Sequence, residues 1–222
     1  MKARSPAAVP IWRPGEPVAP LAALLARGGV LAIPTESSYG LGADPWNPEG
    51  VARVYRIKQR EAGKPLPVVA AGIGQLAGLG IDPEAPILRS MLGRLDALWP
   101  APLTAVLPVA RPLPASAGET TLAVRVPAHE GLRRLLAALG TPLTATSANP
   151  SGGPPALEPE EAAALLAGED AVVIDGGRLP GGPPSTLVTP RPEGGFEVLR
   201  AGAFPAERLS DAGPEGSPAR IR

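Results

Sequence analysis

Four polar residues form two short pairs whose side chains suit the chemistry of phosphate groups. In the first pair, Lys58 supplies a compact point charge and Arg60 a planar fork of donors, a combination that fits a polyphosphate. In the second pair, Ser147 offers a hydroxyl and Asn149 an amide, and either group can meet a phosphate or a metal-bound oxygen. The sequence contains neither a Walker motif nor GxGxxG, so a nucleotide site built from these pairs would not be one of the common types.

Both pairs also have a purely structural interpretation. Lys58 and Arg60 close a predicted helix, where cations offset the helix dipole. Asn149 begins the segment Asn-Pro-Ser-Gly-Gly, which is a strong turn signal. Composition bears on this choice, because the chain has eighteen arginines but only three lysines, and Lys58 and Lys64 lie in the same stretch. Where a residue type is nearly absent, we expect the few that remain to be needed.

Weaker candidates lie elsewhere in the chain. Arg125 stands between two valines in a predicted apolar strand, and it needs an anionic partner if it faces the core. The pattern alone slightly favours the alternative, in which strand alternation turns it to solvent. Thr35 and Ser185 are hydroxyl residues next to predicted strands and could be ordinary loop polars. Glu36 is the only carboxylate of its loop, and we interpret it as a solvent-exposed acid rather than a general base. His129 is the only histidine, and nothing around it indicates a catalytic triad or a metal cluster.

Composition excludes several classes of protein. The formal net charge is zero and aromatic residues make up 3%, which argues against a basic nucleic-acid footprint and against base-stacking platforms. The absence of cysteine excludes disulfides, thiolate metal sites and cysteine nucleophiles. No apolar run approaches the roughly 20 residues of a membrane-spanning helix, and the proline-rich N-terminus does not resemble a secretory signal. We therefore expect a cytoplasmic protein that does not associate with membranes.

Strands and helices alternate along the chain, and the stretch from Val30 to Gly74 organises them. It predicts a βαβ-like unit: a buried strand at Val30 to Ile33, a hydroxyl-rich loop, a helix capped by Asn47 that runs to Arg60, and a strand at Leu66 to Ala71. Its polar groups gather at one sheet edge, where α/β folds bind ligands. A later helix is predicted to be capped by Asp82. The other predicted strands are Leu103 to Val109, Thr121 to Val126, Leu143 to Thr146, Ala171 to Ile174, Ser185 to Thr189 and Phe196 to Arg200.

The alternation predicts the α/β class, with one main core. Residues 1 to 19 are predicted to form a loose N-terminal arm and residues 20 to 204 the folded domain. Residues 205 to 222, which are rich in Asp, Gly, Pro, Ser and Arg, are predicted to form a flexible C-terminal tail.

With these residues placed, the sequence resembles the YrdC-like family, and within it the short TsaC-type threonylcarbamoyl-AMP synthases. The resemblance spans roughly Leu21 to Gly202, and its motifs are specific when taken together in this order. They are PTESSYGLG at Pro34 to Gly42, KQR at Lys58 to Arg60, WPAPLTAVLP at Trp99 to Pro108, LAVRVPAH at Leu122 to His129, TSANPSG at Thr146 to Gly152, the pair Ser185-Thr186, and LRAG at Leu199 to Gly202.

The resemblance implies a twisted mixed α/β sheet with flanking helices around a concave basin, in which residues 20 to 204 are the catalytic domain. It implies a nucleotidyltransferase that converts L-threonine, bicarbonate and ATP into threonylcarbamoyl-adenylate and pyrophosphate. Mg²⁺ would arrive with ATP, and neither a resident metal site nor a tightly bound organic cofactor is implied. The product would pass to a tRNA threonylcarbamoyl-transferase complex for formation of threonylcarbamoyladenosine next to the anticodon, and weak RNA binding is compatible with that role.

Carried over motif by motif, the resemblance implies two groups of site residues. The residues implied to act in catalysis and to hold ATP with its metal are Lys58, Arg60, Ser147 and Asn149, with Thr121 and Arg200 also on the nucleotide side. The residues implied to hold threonine are Thr35, Arg125 and Ser185, with Arg125 on the carboxylate. The substrate would then be the anionic partner that Arg125 needs. Because carbamates and mixed anhydrides are labile in water, a closable loop is expected, either at Ala110 to Glu119 or at Arg178 to Pro184.

Three positions depart from the family pattern, and two other functions stay open. Glu61 follows the Lys-x-Arg pair where proline is usual and could place a negative charge near phosphate, while Ala101 replaces a usual glycine and Thr189 a frequent aspartate. The alternatives are a non-catalytic RNA-binding member of the family and an enzyme for another amino acid or carbamoyl donor. Ser147 and Asn149 favour the active synthase, because a sister group of the family lacks a proper Ser-x-Asn.

Overall fold

The computed structural model describes residues 8–61, 63–191 and 194–209. The predicted tail lies almost entirely outside these residues, as do the first seven residues of the predicted arm. Within that arm, Ile11–Trp12 form a strand that pairs in parallel with residues 173 and 174. These two residues are therefore part of a sheet.

The described residues contain eleven strands, five α-helices and three 3₁₀ helices. The strands are β1 Ile11–Trp12, β2 Val30–Pro34, β3 Tyr39–Gly42, β4 Val68–Val69, β5 Leu103–Pro108, β6 Thr121–Arg125, β7 Leu143–Thr144, β8 Thr146–Ser147, β9 Ala171–Ile174, β10 Thr186–Pro190 and β11 Phe196–Arg200. The α-helices are α1 Ala19–Ala26, α2 Pro48–Lys58, α3 Pro86–Leu98, α4 Glu130–Leu139 and α5 Pro159–Leu165. The 3₁₀ helices are Ile73–Leu79, Pro114–Ser116 and Ala206–Leu209.

The strands form two mixed sheets, one of five strands in the order β1-β9-β2-β3-β8 and one of six in the order β11-β10-β5-β6-β4-β7. Each sheet combines parallel pairs, such as β2 with β9 and β10 with β5, with antiparallel pairs, such as β2 with β3 and β5 with β6. The prediction of a mixed α/β fold is confirmed, and the strands are divided between two sheets. Among the described residues, no helix is both long enough and apolar enough to cross a membrane.

The predicted βαβ-like unit is wrong in the loop before its helix and in its second strand. Residues 39–42 do not stay in a loop: they form β3, which turns back antiparallel to β2. The two glycines of β3 hid this strand, because Gly residues weaken a strand pattern. Close packing accounts for them: a Cβ on Gly40 would lie 3.3 Å from the Thr146 carbonyl oxygen, and one on Gly42 would lie 3.3 Å from Ile33 Cδ1. The predicted strand at Leu66 to Ala71 shortens to β4, which belongs to the other sheet.

Two predicted helix boundaries also need correction, while a third is confirmed. Asn47 caps α2 as predicted, accepting hydrogen bonds from the backbone N–H groups of residues 49 and 50. That helix ends at Lys58, because Gln59 adopts a left-handed conformation (φ 48°), and Arg60 therefore lies beyond it. Asp82 caps no helix: its carboxylate accepts from the N–H of residue 84 in a local turn, and α3 begins only at Pro86. The residue before a proline is driven to an extended conformation, which sets this later start.

One short segment connects the two sheets. Strand β7 pairs with β4 in the six-stranded sheet, and β8 pairs with β3 in the five-stranded sheet. Only Ala145 separates them, so the predicted single strand at Leu143 to Thr146 is divided between the sheets. The Ala145 backbone N–H donates to the Pro67 carbonyl at 2.8 Å, which fixes the point at which the chain crosses between the sheets. The Ser147 end of this segment is therefore placed where the two sheets diverge.

Candidate active site

A cavity of about 660 Å³ lies between the diverging sheets. This volume is within the range of roughly 300–1,000 Å³ that small-molecule sites occupy. The five-stranded sheet and its loops contribute residues such as Gly40 and Ser147, and the six-stranded sheet contributes residues such as Val68, Ala123 and Leu187. The predicted site residues among those that line the cavity are Thr35, Arg60, Arg125, Ser147, Asn149, Ser185 and Arg200.

Two predicted site residues do not line this cavity. Thr121 begins β6 with an exposed side chain and is absent from the lining. Lys58 is only 4% exposed and lies behind the wall that Ser147 and Asn149 form. Its location at the C-terminus of α2 made both dipole compensation and phosphate contact reasonable from the sequence, but neither interpretation anticipated a buried ammonium.

The Lys58 ammonium is surrounded by oxygen atoms of the segment that carries the Ser-x-Asn pair. It donates to the Ser147 carbonyl at 2.5 Å, to the Asn149 carbonyl at 3.1 Å and to the Asn149 side-chain oxygen at 2.9 Å. Burial, with a smaller contribution from the positive charge of Arg60, lowers the pKa of Lys58 to about 8. The lysine therefore binds the loop from behind and sets the orientation of the residues that do face the cavity.

Ser147 and Asn149 are also joined to each other. The Ser147 hydroxyl donates to the Asn149 side-chain oxygen at 2.6 Å, and the Asn149 amide nitrogen donates to the Gly153 carbonyl at 2.5 Å. The loop thus satisfies the turn interpretation of Asn149 and, at the same time, presents both side chains to the cavity. The Ser147 hydroxyl oxygen accepts one long hydrogen bond, 3.4 Å from the Lys58 ammonium, and its second lone pair remains for a ligand donor or a cation.

Arg60 presents a charge to the cavity without a strong internal partner. Its guanidinium makes one long hydrogen bond, 3.4 Å to the Pro65 carbonyl, and no ion pair with any described residue. The neighbouring Glu61 is exposed and its carboxylate lies 3.4 Å from the Lys64 ammonium. The departure at position 61 therefore places its carboxylate in solvent, in no ion pair with Arg60, and Arg60 remains available to an anionic ligand.

Arg125 and Glu36 correct two interpretations of the sequence. The Arg125 side chain is 11% exposed and lines the cavity, so it does not point to solvent. Its Nη1 donates to the Glu36 carboxylate, whose side chain is 18% exposed, so Glu36 is not a solvent-exposed acid. Burial lowers the pKa of Arg125, and the charge of Glu36 opposes that shift. The sequence could not reveal this contact, because the two residues are 89 positions apart.

The loop that carries Glu36 is folded tightly onto itself. The Thr35 hydroxyl donates to the Ser38 carbonyl at 2.7 Å and lies 3.3 Å from the backbone nitrogens of residues 37 and 38. Thr35 and Ser37 line the cavity, while Glu36 between them turns towards Arg125.

The sequence did not indicate Thr104, a polar residue of the cavity lining. It is buried in β5, lines the cavity and shares a hydrogen bond of 2.7 Å with the Ser185 hydroxyl. Arg200 donates to the Ser185 carbonyl at 2.8 Å and so supports the same wall. The available signal was a lone hydroxyl side chain in the apolar strand segment LTAVLP.

The described residues contain no cluster of three or more His, Cys, Asp or Glu side chains arranged to hold a metal ion, and the cavity lining has none of these types. The oxygen donors that the lining offers are hydroxyls and amides, such as Ser147 and Asn149. Mg²⁺ at a protein site is commonly bound through carboxylates together with substrate phosphates. This lining fits an ion that arrives on a polyphosphate better than one held by the protein alone.

Comparison with known proteins identifies the family. The Sua5/YciO/YrdC family model, described as telomere recombination, matches residues 23–202. The chain belongs to this family. A threonylcarbamoyl-AMP synthase from Thiobacillus denitrificans is 41% identical over 170 residues, which cover 76% of this chain and 88% of that protein. Another from Vibrio cholerae is 38% identical over 180 residues, covering 80% and 93% of the two chains. The sequence-based family prediction is confirmed.

Solved structures of family members have the same fold as this chain. The structure of P. abyssi Sua5 complexed with L-threonine has a TM-score of 0.77 and 32% identity; the match covers 92% of this chain and 60% of that one. The present chain thus spans less than two thirds of the length of P. abyssi Sua5. E. coli YciO has a TM-score of 0.71 and 25% identity, with 90% of this chain and 98% of that chain covered. The YrdC-like fold predicted from the motifs is confirmed.

Proposed function

We propose that this family member is a threonylcarbamoyl-AMP synthase that converts L-threonine, bicarbonate and ATP into threonylcarbamoyl-adenylate and pyrophosphate. The observation that carries the proposal is a single cavity lined by two arginines and by the Ser147–Asn149 loop. Arg125 binds a carboxylate there, and Arg60 makes no ion pair with a described residue. Relatives about 40% identical carry the name of this enzyme, which supports the same conclusion.

In the proposed arrangement, threonine binds at the Arg125 end of the cavity. The guanidinium of Arg125 receives the amino-acid carboxylate, since a planar fork matches a carboxylate in two parallel hydrogen bonds. Thr35 and Ser185 line the same cavity and supply hydroxyls for the polar groups of the amino acid. Thr104, which shares a hydrogen bond with Ser185, fixes the position of that hydroxyl.

ATP binds at the opposite end, where Arg60 meets its phosphates. Ser147 and Asn149 face the same phosphates or the Mg²⁺ that ATP brings with it. Arg200 also lines the cavity, but its hydrogen bond to the Ser185 carbonyl ties it to the wall of the threonine side, so a contact of Arg200 with the nucleotide would reach across from that wall. Lys58 acts from behind this wall by holding the Ser147–Asn149 loop, which replaces direct phosphate contact as its role. Thr121 is outside the lining, so a part in nucleotide binding would require it to contact a portion of ATP that extends past the cavity.

The chemistry asks the protein to position reactants and to neutralise charge. The threonine amine and bicarbonate form a carbamate with loss of water. A carbamate oxygen then attacks the α-phosphorus, the bond from that phosphorus to the oxygen bridging the α- and β-phosphates breaks, and pyrophosphate leaves with its negative charge. Arg60 and the magnesium ion of the substrate stabilise that charge, and Arg125 keeps the amino acid in line. No protein nucleophile is needed, and the lining supplies no cysteine, histidine or carboxylate that would serve as one.

A closing loop fits residues 178–184 better than residues 110–119. Residues 110–119 hold the 3₁₀ helix Pro114–Ser116. Its Ser116 is fully buried, and the Ser116 hydroxyl is hydrogen-bonded to the Leu113 and Glu119 carbonyls. Such internal bonding makes it part of the scaffold. Residues 178–184 contribute Gly182 and Pro184 to the cavity lining, whereas residues 110–119 contribute none. Two backbone hydrogen bonds hold them to neighbouring loops, from the Leu179 N–H to the Leu157 carbonyl and from the Gly181 N–H to the Ser37 carbonyl.

The experiment that tests the function is pyrophosphate release with threonine, bicarbonate, ATP and Mg²⁺ omitted in turn. We expect release only when all four are present, and weaker release when serine replaces threonine. A protein that binds tRNA tightly and with steep salt dependence but releases no pyrophosphate would instead be the RNA-binding alternative. Transfer of the product to a tRNA threonylcarbamoyl-transferase complex is then tested by adding that complex and tRNA.

A further inference from the structure

We propose that Glu36 is a positioning residue for the amino-acid substrate: it anchors Arg125 from behind so that the remaining guanidinium donors face the cavity. The inference rests on the proposed threonine site and adds a residue that acts on the substrate only through Arg125.

The ion pair spans the cavity wall. Arg125 lines the cavity, whereas Glu36 does not, although Thr35 and Ser37 on either side of it do. The carboxylate therefore lies outside the cavity lining and contacts the guanidinium at Nη1. The two groups belong to different parts of the fold, because Glu36 follows a strand of the five-stranded sheet and Arg125 ends a strand of the six-stranded one.

Most of the hydrogen-bonding capacity of Arg125 is left for a ligand. A guanidinium has five N–H donors, and the only hydrogen bond of the Arg125 side chain to a described residue is the one to Glu36. Among the described residues, the only fully buried side-chain nitrogen or oxygen without a partner is Glu36 Oε2. The other guanidinium nitrogens of Arg125 therefore retain some exposure, and the exposed side of this residue is the cavity.

The unpartnered Oε2 atom argues against a purely stabilising role for the pair. A buried carboxylate oxygen without a donor lowers stability, and a buried ion pair is often no more stable than apolar residues of similar volume. Each buried group left without a protein partner calls for an explanation, such as a functional role, strain or a bound water. Fixing the direction of Arg125 is such an explanation, because a carboxylate ligand requires the planar fork at one orientation.

The test is threonine binding by calorimetry, with ATP binding measured in parallel. Glu36→Gln keeps the size and the acceptor oxygen but loses the charge that holds Arg125. We expect it to raise the threonine Kd about tenfold, while the ATP Kd stays within about twofold of wild type. Under turnover, the threonine KM should rise by a similar factor, and kcat at saturating threonine should change less than about threefold. Glu84→Gln, which removes the carboxylate of an exposed pair with Arg89, is the matched control and should change neither Kd.

The possible outcomes separate this role from others. An unchanged threonine Kd in Glu36→Gln overturns the proposal, and tighter threonine binding would show that Glu36 competes with the substrate for Arg125. Equal weakening of threonine and ATP together with a lowered melting temperature would reduce Glu36 to a structural residue. Should Glu36→Gln fail to fold, Glu36→Asp must raise the threonine Kd at least threefold with ATP binding intact. A wild-type protein that binds threonine without forming adenylate would refute the proposed reaction alone.

Discussion

Replacement of Lys58 by methionine separates a scaffold role for this lysine from simple fold stability. Methionine keeps the length and the apolar stem but has no ammonium to donate to the Ser147 and Asn149 oxygens. We expect kcat/KM for pyrophosphate release to fall about 100-fold or more, because a displacement of about 1 Å in a reacting arrangement can cost that factor. The fold should survive.

The expected stability follows from two opposing contributions. The pKa of Lys58 near 8, compared with 10.5 in the unfolded chain, means that holding the ammonium charged in this site costs about 3 kcal/mol at neutral pH. Methionine removes that cost, but the Asn149 carbonyl then loses its only described donor, at about 1–3 kcal/mol if water does not reach it. The other two oxygens keep a donor, because the Asn149 N–H still donates to the Ser147 carbonyl and the Ser147 hydroxyl to the Asn149 side-chain oxygen. The two terms offset each other to within a few kcal/mol, so the melting midpoint should stay within about 10 °C of wild type.

The assay compares Lys58→Met with Lys64→Met under identical conditions. Lys64 is exposed and makes one described ion pair, to Glu61, so its replacement should leave kcat/KM within about twofold of wild type. The reasoning is refuted if Lys58→Met keeps kcat/KM within threefold of wild type, since the loop would then not depend on the ammonium. It is equally refuted if the variant is unfolded at 25 °C, because Lys58 would then be a structural residue first.

Three further predictions concern the pH profile, the cap of α2 and Thr104 in the proposed threonine site. Since Lys58 loses its proton near pH 8, kcat/KM should fall as the pH rises above 8, and this fall should be absent from Lys58→Met and shifted to higher pH in Arg60→Gln. Between pH 8 and 10.5 the lysine is deprotonated in the folded protein but still protonated in the unfolded chain. The contribution of Lys58 to the unfolding free energy should therefore rise over this range, while activity falls. Asn47→Ala removes the cap of α2 and two bonds to carbonyls at the end of α1, and thermal melting should show a loss of about 1–2 kcal/mol, with Asn47→Asp in between; an unchanged midpoint would contradict the cap. Thr104→Val should raise the threonine KM about three- to tenfold with an unchanged ATP KM, and equal effects on both substrates would argue against its place on the threonine side.

The sequence predicted helix and strand boundaries correctly where neighbouring residues alone determine them. Helix α2 was placed correctly at its start because Asn47, Pro48 and Glu49 are neighbours that act within one turn. The start of α3 was wrong because both Pro83 and Pro86 suit a first helical position, and only the turn at Asp82 decides between them. The glycines of β3 looked like a loop because their close packing against other strands is a property of the folded chain.

The site was predicted in its residue types more fully than in its geometry. The motifs supplied Arg60, Ser147 and Arg125, all of which line one cavity. They did not indicate that Lys58 is buried, because a lysine at a helix end gives no sign of which way its side chain points. Nor could they pair Glu36 with its arginine, since the contact depends on how a loop of one sheet meets a strand of the other.

The crossing at Ala145 sets how much the length of this region can vary. Only Ala145 separates β7 from β8, so inserting or deleting one residue there would shift β8 against either β3 or the crossing point and move Ser147 from its present place in the cavity lining. Substitutions that preserve length act on one side chain, whereas a single insertion here would displace the whole Ser147–Asn149 loop from the Lys58 ammonium. Residues 178–184 carry no strand register, so a length change there would turn no strand over, and its effect would fall on the Gly181 hydrogen bond to Ser37 and on the nearby cavity lining.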